Sequence, residues 1–153
     1  MLTQEKVNQI KEIKGKVRGA VFQTDASYIQ SRFGPDGIEL LSSRLRELSC
    51  PIEYGNIKAM EWLPLWQRVV SMLLIKDLFQ LSDEDIKEMG IAAPRTLFIV
   101  KLLVKFFISL ESALVRSPDY WVKHYNVGEL EVIKIDEKER RIIVRWIKSR
   151  KKL

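Results

Sequence analysis

Residues 97–115 read LFIVKLLVKFFISLESALV, and the interpretation of this stretch decides the fold. It lies between Pro94 and the Ser117-Pro118 pair, which suit a helix start and a helix stop. At about 100° per residue, Lys101, Lys105, Ser109, Ser112 and Arg116 fall on one stripe roughly 80° wide. Glu111 lies off that stripe, and most of the remaining circumference is Leu, Ile, Val, Phe or Ala. A surface helix has the opposite proportions, a limited apolar stripe on a polar cylinder. The spacing therefore predicts a core helix from Pro94 to Arg116, covered on several sides, with a polar seam facing water, a partner or a cavity.

The same stretch is long enough to span a bilayer. Its thirteen Leu, Ile, Val and Phe residues would each favour insertion by about 0.3–0.6 kcal/mol. Lys101, Lys105 and Glu111 would each oppose it by up to about 2.5–3.5 kcal/mol near the centre. The sum lies near zero or above, and amphipathic neighbours can cover the helix. No transmembrane segment is expected.

Upstream, residues 4–14 predict a short polar helix with Val7, Ile10 and Ile13 on its apolar side, broken at Gly15. A second helix is expected from Val17 to Phe33, and Gly34-Pro35 separates it from a third. In that third helix Ile38, Leu41, Leu45 and Leu48 repeat at spacings of three and four. Residues 51–60 read as a loop, after which Pro64 sets the start of a helix lined by Trp66, Val69, Val70, Leu73, Leu74 and Leu78. Ser82 with Asp85 forms a capping-box-like start, and Gly90 is expected to close that short helix.

Beyond the central stretch, SPDYWVKHYN predicts a short aromatic helix or turn. Residues 128–135 and 141–147 are β-branched runs around the charged turn DEKER, a hairpin signal. Ile142, Val144 and Trp146 alternate in the second run as a half-buried strand would. The first run switches face between Val132 and Ile133, which predicts a bulge. The expected fold is a single α+β domain over 1–153, an N-terminal helical layer packed on a C-terminal antiparallel hairpin or small sheet.

Composition narrows the function classes. Hydrophobic residues at 46% and charged residues at 30% are ordinary globular proportions, which argues against disorder. MLTQEKVNQIKEIKG has no apolar run of the signal-peptide kind, and Cys50 is the single cysteine, so a reducing cytoplasm is the expected location. Cys50 and His124 cannot by themselves make a zinc site. The net charge of +6 gathers toward the end, and the basic tail 148–153 offers a nucleic-acid or anionic-lipid contact as the alternative to a solvated tail. No Gly-rich phosphate loop, paired catalytic carboxylates or nucleophile with a base partner is evident, so no enzymatic activity is expected.

Four stretches in order, GKVRGAVFQTDASYIQSRFG, EWLPLW, DEDIKEMG and SPDYWVKHYNVGELEVIKID, carry a resemblance across residues 14–147. The chain resembles the superfamily of haem–nitric-oxide-binding sensor domains, 4-vinyl-reductase-type domains and transport-particle tethering subunits. That resemblance implies a helical layer on an antiparallel sheet enclosing an apolar pocket for a small hydrophobic molecule. Haem-binding members place an axial His on the long helix of the second half. This chain has no His between Pro94 and Arg116 and no cysteine cluster, so no cofactor is expected.

The residues expected to line a ligand site are Trp62, Trp66, Val70, Phe98, Lys101, Lys105, Phe106 and Trp121, with Phe107 beside them. The aromatics could equally fill the core. Lys101 and Lys105 must reach water, an acid or a bound anion, because dry burial costs several kcal/mol. The favoured function is a non-catalytic sensory domain for a hydrophobic or amphiphilic molecule, acting through a homo-oligomer or by docking to another signalling protein. The alternatives are an interaction module without a ligand and nucleic-acid binding through the basic tail.

Overall fold

The computed structural model describes residues 2–96, 116–136 and 141–148. The expected central helix, with Phe98, Lys101, Lys105, Phe106 and Phe107, lies outside the described residues, as does most of the basic tail. Helix α1 (Gln4–Ile10) starts at Thr3, whose side chain accepts from the Lys6 N–H, and buries Val7. Gly15 then turns the chain at φ 118, a left-handed value that favours glycine.

Strand β1 (Lys16–Arg18) precedes helix α2 (Gly19–Glu47). Val17, expected at a helix start, instead pairs with Leu63 of strand β2 (Trp62–Pro64), in an antiparallel two-stranded sheet. The reason lies at the α2 N-terminus, where no side chain caps the helix. Gly19 and Ala20 donate their N–H groups to the carbonyls of Glu61 and Ala59, both at 2.9 Å. A Cβ on Gly19 would stand 2.1 Å from the Lys58 carbonyl oxygen, so this docking requires glycine.

The expected break at Gly34-Pro35 is present, because Gly34 has φ 73 and ψ −176 inside α2. Phe22, Tyr28 and Ile29 enter the core before the break, and Leu41 and Leu45 after it. Helix α3 (Leu65–Leu78) starts immediately after Pro64, as expected, and packs against α1, α2 and β1. Cover from several sides shifts its buried face, so that Ser71 and Ile75 are inside with Val70 and Leu74, while Leu73 is 41% exposed. A 3-10 turn at Tyr54–Asn56 brings the Tyr54 hydroxyl to 2.6 Å from Ser71 Oγ inside the core.

Helix α4 (Asp83–Thr96) opens on the expected capping box. Asp85 Oδ2 accepts from the Ser82 N–H at 2.8 Å, and the Asp85 N–H donates to Ser82 Oγ at 3.2 Å. These bonds, helped by Arg32 at 2.7 Å, hold the Asp85 carboxyl down at about 2. Gly90 does not end this helix, and Pro94 lies within it rather than opening the next one. Gly90 keeps a helical backbone, since a glycine inside a helix costs only about 1 kcal/mol relative to alanine.

Helix α5 (Ser117–His124) is tied to β1. Tyr125 bridges Val17, Asn126 N–H donates to Lys16 O at 3.1 Å, and Arg18 Nε donates to Lys123 O at 3.3 Å. Strands β3 (Glu129–Asp136) and β4 (Arg141–Ile147) form the expected antiparallel hairpin, with a register shift between Val132 and Lys134. The hairpin packs on α5. The half-buried alternation expected in β4 is not reproduced as burial: Val144 and Trp146 are 40% and 54% exposed, and Ile143 is exposed too. The chain is an α+β fold, with helices first and a hairpin last.

Candidate functional site

Helices α2, α3, α4 and α5, with Leu130 of β3, line an open-mouthed cavity of about 450 Å³. Ala20, Val21, Met72, Ile86, Met89, Trp121 and Leu130 supply apolar wall. Asp25 and Arg68 supply a polar end, and Tyr120, His124 and Tyr125 line the same space. Such a volume, mostly apolar with a few converging polar groups, suits a small ligand. A larger groove, about 570 Å³, lies between Leu2, the end of α2 and α3. Exposed Glu47, Asp77 and Gln80 rim it and, among the described residues, no buried charge lines it, so the first cavity is the stronger site.

Asp25 occupies a helical position that shares a face with Val21, Phe22, Tyr28 and Ile29, and it is only 2% exposed. Arg68 reaches it from the second turn of α3, with Nη1 at 2.8 Å from Oδ2. The approach is close but poorly aligned. Asp25 Oδ2, Arg68 Nε and Arg68 Nη1 are all buried without a hydrogen-bond partner among the described residues. Burial pushes the Asp25 carboxyl up from 3.8 to about 7, against the opposing pull of Arg68. Desolvation thus outweighs the ion pair, as expected where a charge pair lacks completed hydrogen bonds.

The surrounding groups are tuned by the same burial. Burial raises the Tyr125 hydroxyl above its usual range, with Arg68 acting in the opposite direction. Burial, then Arg18 and Lys123, lower His124, so the neutral imidazole is favoured near pH 7. His124 Nδ1 is also buried without a hydrogen-bond partner among the described residues. Trp121 is fixed by its Nε1–H donating to Val127 O at 2.9 Å, and it stacks on Tyr125 with ring centroids 4.2 Å apart. Thr24 Oγ1 donates to Ala20 O at 3.0 Å, and the Cys50 thiol, raised to about 11 chiefly by burial, stays protonated elsewhere in the core.

Of the four expected site residues among the described residues, Trp121 alone lines this cavity. Trp62 is at the surface, stacked under the Arg18 guanidinium at 3.9 Å from the ring centroid. Trp66 packs against the core with Lys11 Nζ 5.7 Å from its ring. Val70 is fully buried core. The residues that sequence reasoning missed are Asp25, Arg68 and Tyr125, with His124 left without a role. The signal for Asp25 was available as a carboxylate inside an apolar helical stripe.

Among the described residues, no helix is long and apolar enough to cross a membrane, and no group of three His, Cys, Asp or Glu could hold a metal ion. Comparisons with family models, curated proteins and solved structures returned no match.

Proposed function

We propose that this chain is a non-catalytic ligand-binding domain of the sensory kind, taking a small molecule with a hydrophobic body into the cavity between α2, α3, α4 and α5. The carrying observation is that cavity itself, about 450 Å³ with mostly apolar walls, beside a buried Asp25–Arg68 pair whose hydrogen bonds are incomplete among the described residues. A filled core would leave neither the space nor the orphaned groups. The resemblance noted in the sequence leads to the same kind of pocket, and a reducing cytoplasm suits the free, buried Cys50. Readout would run through α5, which contributes His124 to the cavity wall and carries the hairpin by way of the Trp121–Val127 bond.

The test uses a neutral apolar dye, N-phenyl-1-naphthylamine, whose fluorescence rises on leaving water. Gly90 lines the cavity and a Cβ built there meets nothing within 4 Å, so Gly90→Phe plugs the space without a backbone clash. Wild-type protein should bind the dye and Gly90→Phe should lose it while keeping its circular dichroism. Dye that does not bind, or binds equally to a folded Gly90→Phe, removes the ligand-binding reading.

A second reading has its own observation. Ile133, Ile143, Val144, Trp146 and Val122 are exposed large hydrophobics on the hairpin and α5, a surface suited to a protein partner. Sedimentation of wild type against Trp146→Glu separates self-association from a monomer.

A further inference from the structure

We infer that the outer face of the β1–β2 sheet, with the adjoining end of α5, docks on an anionic membrane surface. Met60 and Trp62 enter the headgroup layer, and Lys16, Arg18, Lys58 and Lys123 face its acidic groups. None of these side chains lines the cavity, so this surface stands apart from the ligand site.

One guanidinium gathers the patch. Arg18 Cζ lies 3.9 Å from the Trp62 ring centroid, Nη1 donates to Met60 O, and Nε donates to Lys123 O at 3.3 Å. The register Arg18↔Trp62 and Lys16↔Pro64 sets Lys16 on the same side of the sheet, while Val17 between them is buried. Lys58 belongs to the turn that carries Met60, closed by Glu61 N–H donating to Lys58 O at 3.2 Å. Met60 is 69% exposed, the most of any large hydrophobic side chain among the described residues.

The fold uses the main chain of these residues and leaves the side chains outward. Lys16 bonds Asn126, Lys58 bonds Glu61, and Met60 and Lys123 bond Arg18, each through backbone atoms. Lys16, Lys58 and Lys123 form no ion pair among the described residues; Lys123 Nζ stands 5.4 Å from the Tyr120 ring. Two acids lie close by. Glu61 Oε1 accepts the Lys58 N–H at 2.8 Å, and exposed Asp119 sits one turn before Lys123. Four cations against two acids leave the face positive. Their field reaches His124, which burial and then Arg18 and Lys123 hold below its usual range.

Charge and apolar tips together select a bilayer. Long cationic stems lie along an interface with their heads in the acidic layer, and tryptophan suits the headgroup level. Nucleic acid would use the cations and leave Met60 in water. A single strand would also stack on Trp62, one face of which Arg18 already covers.

The full chain is sedimented with vesicles of phosphatidylcholine alone and of phosphatidylcholine with phosphatidylserine at about 3:1, in about 0.05 M and about 0.5 M salt. Wild type should pellet with the anionic vesicles at low salt, be released by the higher salt, and ignore the neutral vesicles. Each lysine near an acidic surface strengthens binding about 5-fold, so Lys16→Gln with Lys58→Gln and Lys123→Gln should weaken it about 100-fold. Should that triple variant not fold by circular dichroism, Lys16→Gln with Lys123→Gln takes its place and should weaken binding about 25-fold. Met60→Ser, which keeps the carbonyl that Arg18 uses, should weaken it about 10-fold. The basic tail 148–153 is intact in every variant. Wild type that does not pellet, or lysine variants that pellet equally because the tail makes the contact, overturns the inference. Binding lost with the lysines yet unchanged in Met60→Ser marks a purely electrostatic contact, of the kind nucleic acid or an acidic protein makes, and overturns it too.

Discussion

Replacing Asp25 by Asn should change how stability depends on pH, in a direction opposite to that of an ordinary salt-bridged carboxylate. In the native chain the Asp25 carboxyl titrates at about 7, against 3.8 for the exposed group. The displacement is about three pH units, and at about 1.4 kcal/mol per unit this amounts to about 4 kcal/mol. The native state keeps the proton where the unfolded chain has released it. Between about pH 4 and about pH 7 the native form therefore binds more protons, and stability falls as pH rises. The contribution is complete below about pH 4 and gone above about pH 7. Water penetration and relaxation around Arg68 make the 4 kcal/mol an upper figure.

Urea unfolding of wild type and Asp25→Asn across that range provides the assay. The difference between the two proteins cancels every other titrating group that behaves alike in both. Wild type minus variant should fall by up to about 1.4 kcal/mol per pH unit from about pH 4 to about pH 7, then level off. A difference that stays flat, or that rises with pH through this window, refutes the reasoning. Such a result would mean that Arg68 outweighs burial and that Asp25 is ionised in the native cavity.

Tyr54→Phe should cost about 1–3 kcal/mol by urea unfolding, because it strands the Ser71 hydroxyl in the core. Adding Ser71→Ala should cost less than the sum of the two single changes. Gly34→Ala should destabilise by about 1–2 kcal/mol, since φ 73 is left-handed and no neighbour compensates. Gly90→Ala, on a helical backbone with open space at its Cβ, should instead stabilise by about 1 kcal/mol, and thermal unfolding of the pair tests both signs.

Where local chemistry decides the structure, the sequence could be read. Gly34-Pro35 breaks α2 because glycine tolerates its φ and proline can open a helical segment. Ser82 and Asp85 cap α4 reciprocally, and the face switch at Ile133 matches the register shift in the hairpin. Strands β1 and β2 were not legible, since three residues are too few to show a period of two. They exist because Gly19 allows the α2 N-terminus to dock on the 58–61 turn, an encounter that no local pattern announces. Gly90 misled for the converse reason: its weak preference against helix was overridden.

The site was less legible than the fold because its chemistry is made by convergence. Trp62 and Trp66 carry the aromatic area expected of a pocket, yet β2 and the start of α3 place them on Arg18 and Lys11 instead. Asp25 and Arg68 each look ordinary in sequence, a carboxylate and a cation on amphipathic helices. Their meaning arises only when α2 and α3 meet and close both away from water. Had the pair been there for cohesion, each group would be expected to complete its hydrogen bonds, as Ser82 and Asp85 do. Instead Oδ2 lies 2.8 Å from Nη1 without an aligned hydrogen bond, and Nε has no hydrogen-bond partner among the described residues, beside a space with apolar walls. A buried pair left incomplete in this way costs stability, and that cost is set by how α2 and α3 pack rather than by any local sequence pattern.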